Sequence, residues 1–213
     1  MARTLIKICG LSTPGDVDAA IRAGADFIGL VVFAKSPRHV EPEAAAALAR
    51  HAAGRVQVVA LMVDPAPDYL ATVLAKVPVD HLQLHGRETP EQIAAIARSR
   101  GVSVWKALGV RTRADLAAAD AYVGAATRVL FDAKPPEGAD LPGGNGLRID
   151  WAILKGARPA LPWMLAGGLD PANVAEAIAI TGAPAVDVSS GVESAPGVKD
   201  AGKIADFCRA ARA

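Results

Sequence analysis

The chain has 213 residues, 52% of them hydrophobic and 21% charged, and 23 Lys plus Arg against 22 Asp plus Glu leave a formal net charge of +1. This composition supports a large folded core, excludes disorder as the main state, and offers no basic block for nucleic acid. The two cysteines, Cys9 and Cys208, are too few and too far apart for a disulfide framework or a clustered zinc site. The opening MARTLIKICG lacks the long apolar stretch of a signal peptide, and no apolar run reaches the ~18 residues of a membrane span. A soluble cytoplasmic protein is expected, with no membrane and no nucleic acid among its partners.

Short β-rich runs recur along the chain: LIKIC (5–9), FIGLVV (27–32), VQVVALMV (56–63), HLQLH (81–85), VSVWKAL (102–108), RVLFD (128–132), WMLAG (163–167) and AVDVS (185–189). Most are continuously apolar, the pattern of parallel strands covered on both faces. Between them lie helical periods, such as Val17, Ala20 and Ile21, then Ile93, Ile96 and Ala97, and finally Ile204, Phe207 and Cys208. Eight strands and about eight helices in 213 residues make about 27 residues per unit, the length of a βα unit. With no long linker, the chain is expected to form a single domain over 1–213, a closed (β/α)8 TIM barrel. No GxGxxG follows the first strand, which disfavours an open dinucleotide-binding sheet. The glycine- and proline-rich stretch from Lys134 to Ile149 is long for a loop and is expected to serve the active site.

Barrel enzymes keep their chemistry at the C-terminal ends of the strands. Cys9 ends the first strand, with Lys7 two residues earlier on the same face. A nearby ammonium favours thiolate, so Cys9 is a candidate base or nucleophile, although a lone buried cysteine is also a common packing residue. Asp132 ends a strongly apolar strand. It either anchors a loop or, with its pKa raised by burial, donates a proton. Arg38, on the SPR loop after the second strand, could read carboxylate or phosphate or be a solvated charge; His85 could be a site residue or a polar core residue; Asp187 ends the eighth strand. Gly167 and Gly168, with Ser189, Ser190 and Gly191, place glycines after strands seven and eight, where such barrels bind phosphate through backbone N–H groups. Asp170 followed by Pro171 is read as a helix start. No His/Cys/Asp cluster at ligand spacing appears, so no metal is expected.

Six segments, KICG, SPR, QLHG, FDAK with a following GGNG, LAGGLDPANV and VDVSSGVES, resemble the phosphoribosylanthranilate isomerase family of tryptophan biosynthesis, in the family's order, from residue 7 to about 194. The resemblance implies an Amadori rearrangement of N-(5-phosphoribosyl)anthranilate to 1-(2-carboxyphenylamino)-1-deoxyribulose 5-phosphate. It implies Cys9 as general base, Asp132 as general acid and Arg38 at the anthranilate end. Lys7, His85 and Asp187 are expected beside the substrate, and the glycine and SSG segments on its phosphate. The reaction needs one acid and one base, so no cofactor is expected, and the partner is a small phosphosugar bound by a monomer or homodimer. Related small barrels fit less well. Pentose-phosphate epimerases resemble a paired His/Asp metal site, and indole-glycerol-phosphate synthases a Lys- and Glu-rich one. The histidine-pathway isomerase would end its first strand in Asp. A non-catalytic phosphate-binding barrel would not need Cys9 and Asp132.

Overall fold

All eight apolar runs form strands of one closed parallel barrel in the computed structural model, which describes residues 3–134, 143 and 146–213. The strands are β1 (Leu5–Cys9), β2 (Phe27–Val31), β3 (Gln57–Met62), β4 (His81–Leu84), β5 (Ser103–Val110), β6 (Arg128–Ala133), β7 (Trp163–Leu165) and β8 (Ala185–Val188). They pair in chain order, and β8 returns to β1, so this sheet has no open edge. The architecture is the expected (β/α)8 barrel.

Alternate side chains enter two dry layers. Ile6, Ile8, Ile28, Leu30, Leu82 and Leu84 face the helices. Phe27, Val59, Trp105, Leu130, Met164 and Ala185 fill the barrel itself. Both faces are covered, which is why the strands read as apolar throughout. Near the N-terminal ends of the strands, His81 stacks on Trp105 with ring centroids 4.6 Å apart, and the Arg128 guanidinium lies 5.1 Å from the Trp105 ring. At the other end the inward positions are mixed, with Cys9, Asp132 and Asp187 beside Val31 and Leu61.

The α-helices are α1 (Pro14–Arg22), α2 (Pro42–Ala52), α3 (Pro67–Lys76), α4 (Pro90–Arg100), α5 (Val174–Thr181) and α6 (Ala201–Ala210). The first four open on proline, whose missing N–H is no loss in the first turn. Thr13 and Thr89 complete capping boxes with Asp16 and Gln92. An N-cap of this kind contributes about 0.5–2 kcal/mol. As the apolar period predicts, α1 buries Val17 and Ala20, and α6 buries Ile204, Phe207 and Cys208.

Three connections differ from expectation. Between β5 and β6 the chain forms a 3-10 helix, Arg113–Tyr122, and a shorter one, Trp151–Leu154, precedes β7. Only Ala119 of the first is buried, so it lacks the apolar stripe that would hold a full α-helix on the barrel. Next, α5 starts at Val174 and not at Pro171. The Asp170 carboxylate accepts from the N–H groups of Ala172 and Asn173 at 2.8 and 3.0 Å, closing a turn ahead of the helix. Finally, β8 runs into a hairpin of β9 (Glu193–Ala195) and β10 (Val198–Lys199) before α6. Most of the expected loop from Lys134 to Ile149 lies outside the described residues. Among the described residues no helix is long and apolar enough to cross a membrane.

Candidate active site

Above the apolar filling of the barrel, at the C-terminal ends of the strands, lies an open cleft. Cys9 from β1, Asp132 from β6, Asp187 from β8 and His85, just past β4, all border it. Arg38 reaches the cleft from the loop after β2, and Gly167, Gly168, Ser189 and Ser190 border it from the loops after β7 and β8. Val31 and Leu61 pack with Cys9 into a small apolar cluster, and Phe33 and Val63 back it, so the β1–β3 side of the cleft is apolar. The two loops after β7 and β8 form a side rich in glycine and serine.

Lys7 does not border the cleft. It is wholly buried beneath Cys9, and its Nζ donates to Asp187 Oδ1 at 2.8 Å, across the pair that β1 and β8 set in register. Burial works against the Lys7 charge, but the facing Asp187 carboxylate and Cys9 outweigh it and hold the ammonium above its usual range. Its influence on Cys9 is in the expected direction, yet it does not win. Burial pushes the Cys9 thiol up, Lys7 opposes, Asp187 reinforces the rise, and the thiol ends above its ordinary value. The thiol also needs room. A Cβ on Gly29, its neighbour in β2, would stand 2.7 Å from Cys9 Sγ, so a side chain there would displace the sulfur.

Asp132 is nearly buried, with one oxygen on each side committed. Oδ1 accepts from the Ala133 N–H at 2.8 Å, and Oδ2 lies 3.3 Å from His85 Nε2. Behind the histidine, the buried Gln83 places its amide nitrogen 3.4 Å from His85 Nδ1. Gln83 and Asp132 thus flank the two ring nitrogens of His85 and fix the orientation of the imidazole. Gln83 escaped the sequence reading, although it occupies the inward position two residues before His85.

On the glycine side, Gly167 and Gly168 take φ values of +83° and +65°, a conformation that L side chains rarely adopt. Among the described residues neither N–H is taken by a backbone acceptor. The Ser189 hydroxyl turns away and donates to the Cys9 carbonyl at 3.0 Å. Gly191 does not border the cleft; it packs against the Leu169 carbonyl and holds the two loops together.

Arg38 is not a solvated charge. It is buried, and its Nε and Nη2 donate to the two oxygens of Glu193 at 2.6 and 2.9 Å. Lys199, also buried, donates to Glu193 Oε1 at 2.7 Å and to the Ser189 carbonyl at 2.9 Å. The two hydrogen-bonded cations hold the Glu193 carboxylate below its usual range although burial pushes the other way, while burial pulls Lys199 down. Neither Glu193 nor Lys199 was anticipated. The available signal was Pro196-Gly197, a turn dipeptide between two short β-prone pieces.

The cleft thus gathers Cys9, His85, Asp132, Asp187 and Arg38 with the glycine- and serine-bearing loops after β7 and β8. The family model for N-(5'-phosphoribosyl)anthranilate (PRA) isomerase matches residues 6–210. An N-(5'-phosphoribosyl)anthranilate isomerase of Paramagnetospirillum magneticum is 58% identical over 207 residues, covering 97% of this chain and 96% of that one. The crystal structure of phosphoribosyl anthranilate isomerase from Thermotoga maritima superposes with a TM-score of 0.87 at 34% identity, over 98% of each chain. A phosphoribosyl anthranilate isomerase crystallised with reduced 1-(o-carboxyphenylamino)-1-deoxyribulose 5-phosphate superposes at 0.84, with 32% identity over 98% of each chain. Sequence agreement along nearly the whole length, on the same barrel, makes this chain a member of the N-(5'-phosphoribosyl)anthranilate isomerase family of tryptophan biosynthesis.

Proposed function

We propose that the cleft converts N-(5-phosphoribosyl)anthranilate to 1-(2-carboxyphenylamino)-1-deoxyribulose 5-phosphate, with Asp132 as general acid and Cys9 as general base. The observation that carries this reading is the pairing of those two groups, from β6 and β1, on one cleft. Asp132 in its acid form protonates the ribose ring oxygen as the C1–O bond breaks. The aryl nitrogen's electron pair forms C1=N. The Cys9 thiolate then takes the proton from C2, and the C2–H electrons form C1=C2 while the C=N electrons return to nitrogen. The resulting enolamine tautomerises: the C2 hydroxyl becomes a ketone and C1 gains a proton. Acid–base steps of this kind are each worth about 10²–10⁴-fold.

The two ends of the cleft suit the two ends of this substrate. The apolar wall of Val31, Leu61 and Phe33 fits an aryl ring, and Arg38 also borders the cleft. The glycine segments at the other end fit a phosphate. Holding both ends brings C1 and C2 to the acid and the base, so remote binding energy serves the chemical step. The product-like ligand named for the related structure has the same three parts, a carboxyphenylamino group, a sugar chain and a phosphate.

Two measurements test this arrangement. In Arg38→Ala, kcat/KM is expected to fall by about 10–150-fold, the value of a charge-assisted hydrogen bond. The loss should shrink to a few-fold for N-(5-phosphoribosyl)aniline, which lacks the carboxylate. Equal losses on both substrates would mean that Arg38 does not read that group. In crystals soaked with sulfate or phosphate, an anion is expected between Gly167-Gly168 and Ser190. Neither loop segment carries Lys or Arg there, so the segments themselves offer backbone N–H groups and the Ser190 hydroxyl as donors. Anions bound only elsewhere, with this cradle empty at saturating concentration, would remove the assignment.

A further inference from the structure

The hairpin after β8 has no part in the chemistry described above, yet it delivers two ionised side chains into the protein next to Arg38. Glu193 and Lys199 are directly paired across β9 and β10, and both are buried. The Glu193 carboxylate is fully engaged, taking Arg38 through two nitrogens, Lys199 at 2.7 Å and the Gly197 N–H at 3.3 Å. From the same Lys199 ammonium a second path leads to Cys9, because it binds the carbonyl and hydroxyl oxygens of Ser189, at 2.9 and 3.3 Å, and the Ser189 hydroxyl holds the Cys9 carbonyl.

We propose that Glu193 is a positioning residue for substrate binding, with Lys199 as its support: the fork from Glu193 fixes the plane of the Arg38 guanidinium where Arg38 borders the cleft. This rests on the reading of Arg38 as the carboxylate-binding residue. Two charge-assisted bonds from one rigid carboxylate leave a guanidinium little freedom to rotate. An unheld arginine would sample many rotamers and would lose that freedom on each binding event. Glu193 alone would also cancel the Arg38 charge. Lys199 restores it, so the three groups together carry a single net positive charge, the match for one aryl carboxylate. Orientation and charge are thus supplied by different residues of one hairpin.

The two roles predict opposite signs for one substitution. Glu193→Gln raises the positive charge of the cluster but removes the charged fork. If charge alone mattered, the carboxylated substrate would bind more tightly. Positioning requires the reverse: KM for N-(5-phosphoribosyl)anthranilate should rise about tenfold, in line with the loss of a charge-assisted bond, with kcat changed less than about threefold. KM for N-(5-phosphoribosyl)aniline should stay within about twofold. In the Arg38→Ala background the same substitution should add less than about twofold, because its route of action is gone. Circular dichroism and thermal melting establish that each variant is folded. Should Glu193→Gln not fold, Glu193→Asp keeps the charge, is too short to hold the same fork, and is expected to show the same KM pattern. Tighter binding of the carboxylated substrate, equal KM increases on both substrates, or an undiminished effect in Arg38→Ala would each overturn the positioning role while leaving Arg38 as the carboxylate reader. If Arg38→Ala itself fails to distinguish the two substrates, the reading of Arg38 is lost and this proposal with it.

Discussion

Cys9→Ser is expected to fold normally and to lose about 10²–10⁴-fold in kcat, the span of a general base. The swap changes little volume in the space left by Gly29, so the barrel has no packing reason to fail. What is lost is basicity at a usable pH, since a hydroxyl holds its proton far more tightly than a thiol. The environment of Cys9 sharpens this expectation. Burial and the Asp187 carboxylate raise the thiol pKa, and Lys7 only partly offsets them. A raised acid pKa leaves less thiolate at neutral pH, so kcat/KM should climb on the alkaline side and level off only above the ordinary thiol range. Cys9→Ser should lack that limb. Iodoacetamide should inactivate the enzyme, bound product should protect it, and inactivation should track label at Cys9. Cys208 lies in the layer under the helices, with its thiol pushed up to about 11 by burial, and label there should not follow the loss of activity. Activity surviving complete modification of Cys9 would remove it as the base.

Asp132→Asn carries the second large effect. The amide has nearly the same shape, and its oxygen can still accept from the Ala133 N–H, so melting should shift by only a few degrees. It cannot deliver a proton to the ring oxygen, and kcat should fall by about 10²–10⁴-fold. KM should move less than kcat, because the proton is transferred only in the transition state. A folded variant with near-native kcat would return Asp132 to the other role open to it, anchoring the loop.

The fold was legible because its determinants are local. Apolar runs of five to eight residues, cut by glycine, proline and charge, mark buried strands by their own composition, and their number and spacing leave few ways to close a sheet. The missed hairpin is the exception that fits: the buried residues of β9 and β10 are Glu193 and Lys199, so no apolar run marks either strand. Connections were less legible for the same reason. Asp170-Pro171 carries a helix-start signal, but its carboxylate is satisfied just as well by a closed turn.

From the sequence alone came the barrel and the strand ends that hold Cys9, His85, Asp132 and Asp187, since a residue's place at the end of a strand is a property of a few neighbouring residues. Tertiary structure alone decided how those groups are charged and held. Lys7 meets Asp187 across 180 residues of chain, and Arg38 meets Glu193 across 155. The strength of such pairs depends on separation and on exclusion of water, and closure of the barrel sets both. Lys7 buried beneath Cys9, the raised Cys9 thiol and the fork on Arg38 all follow from that closure.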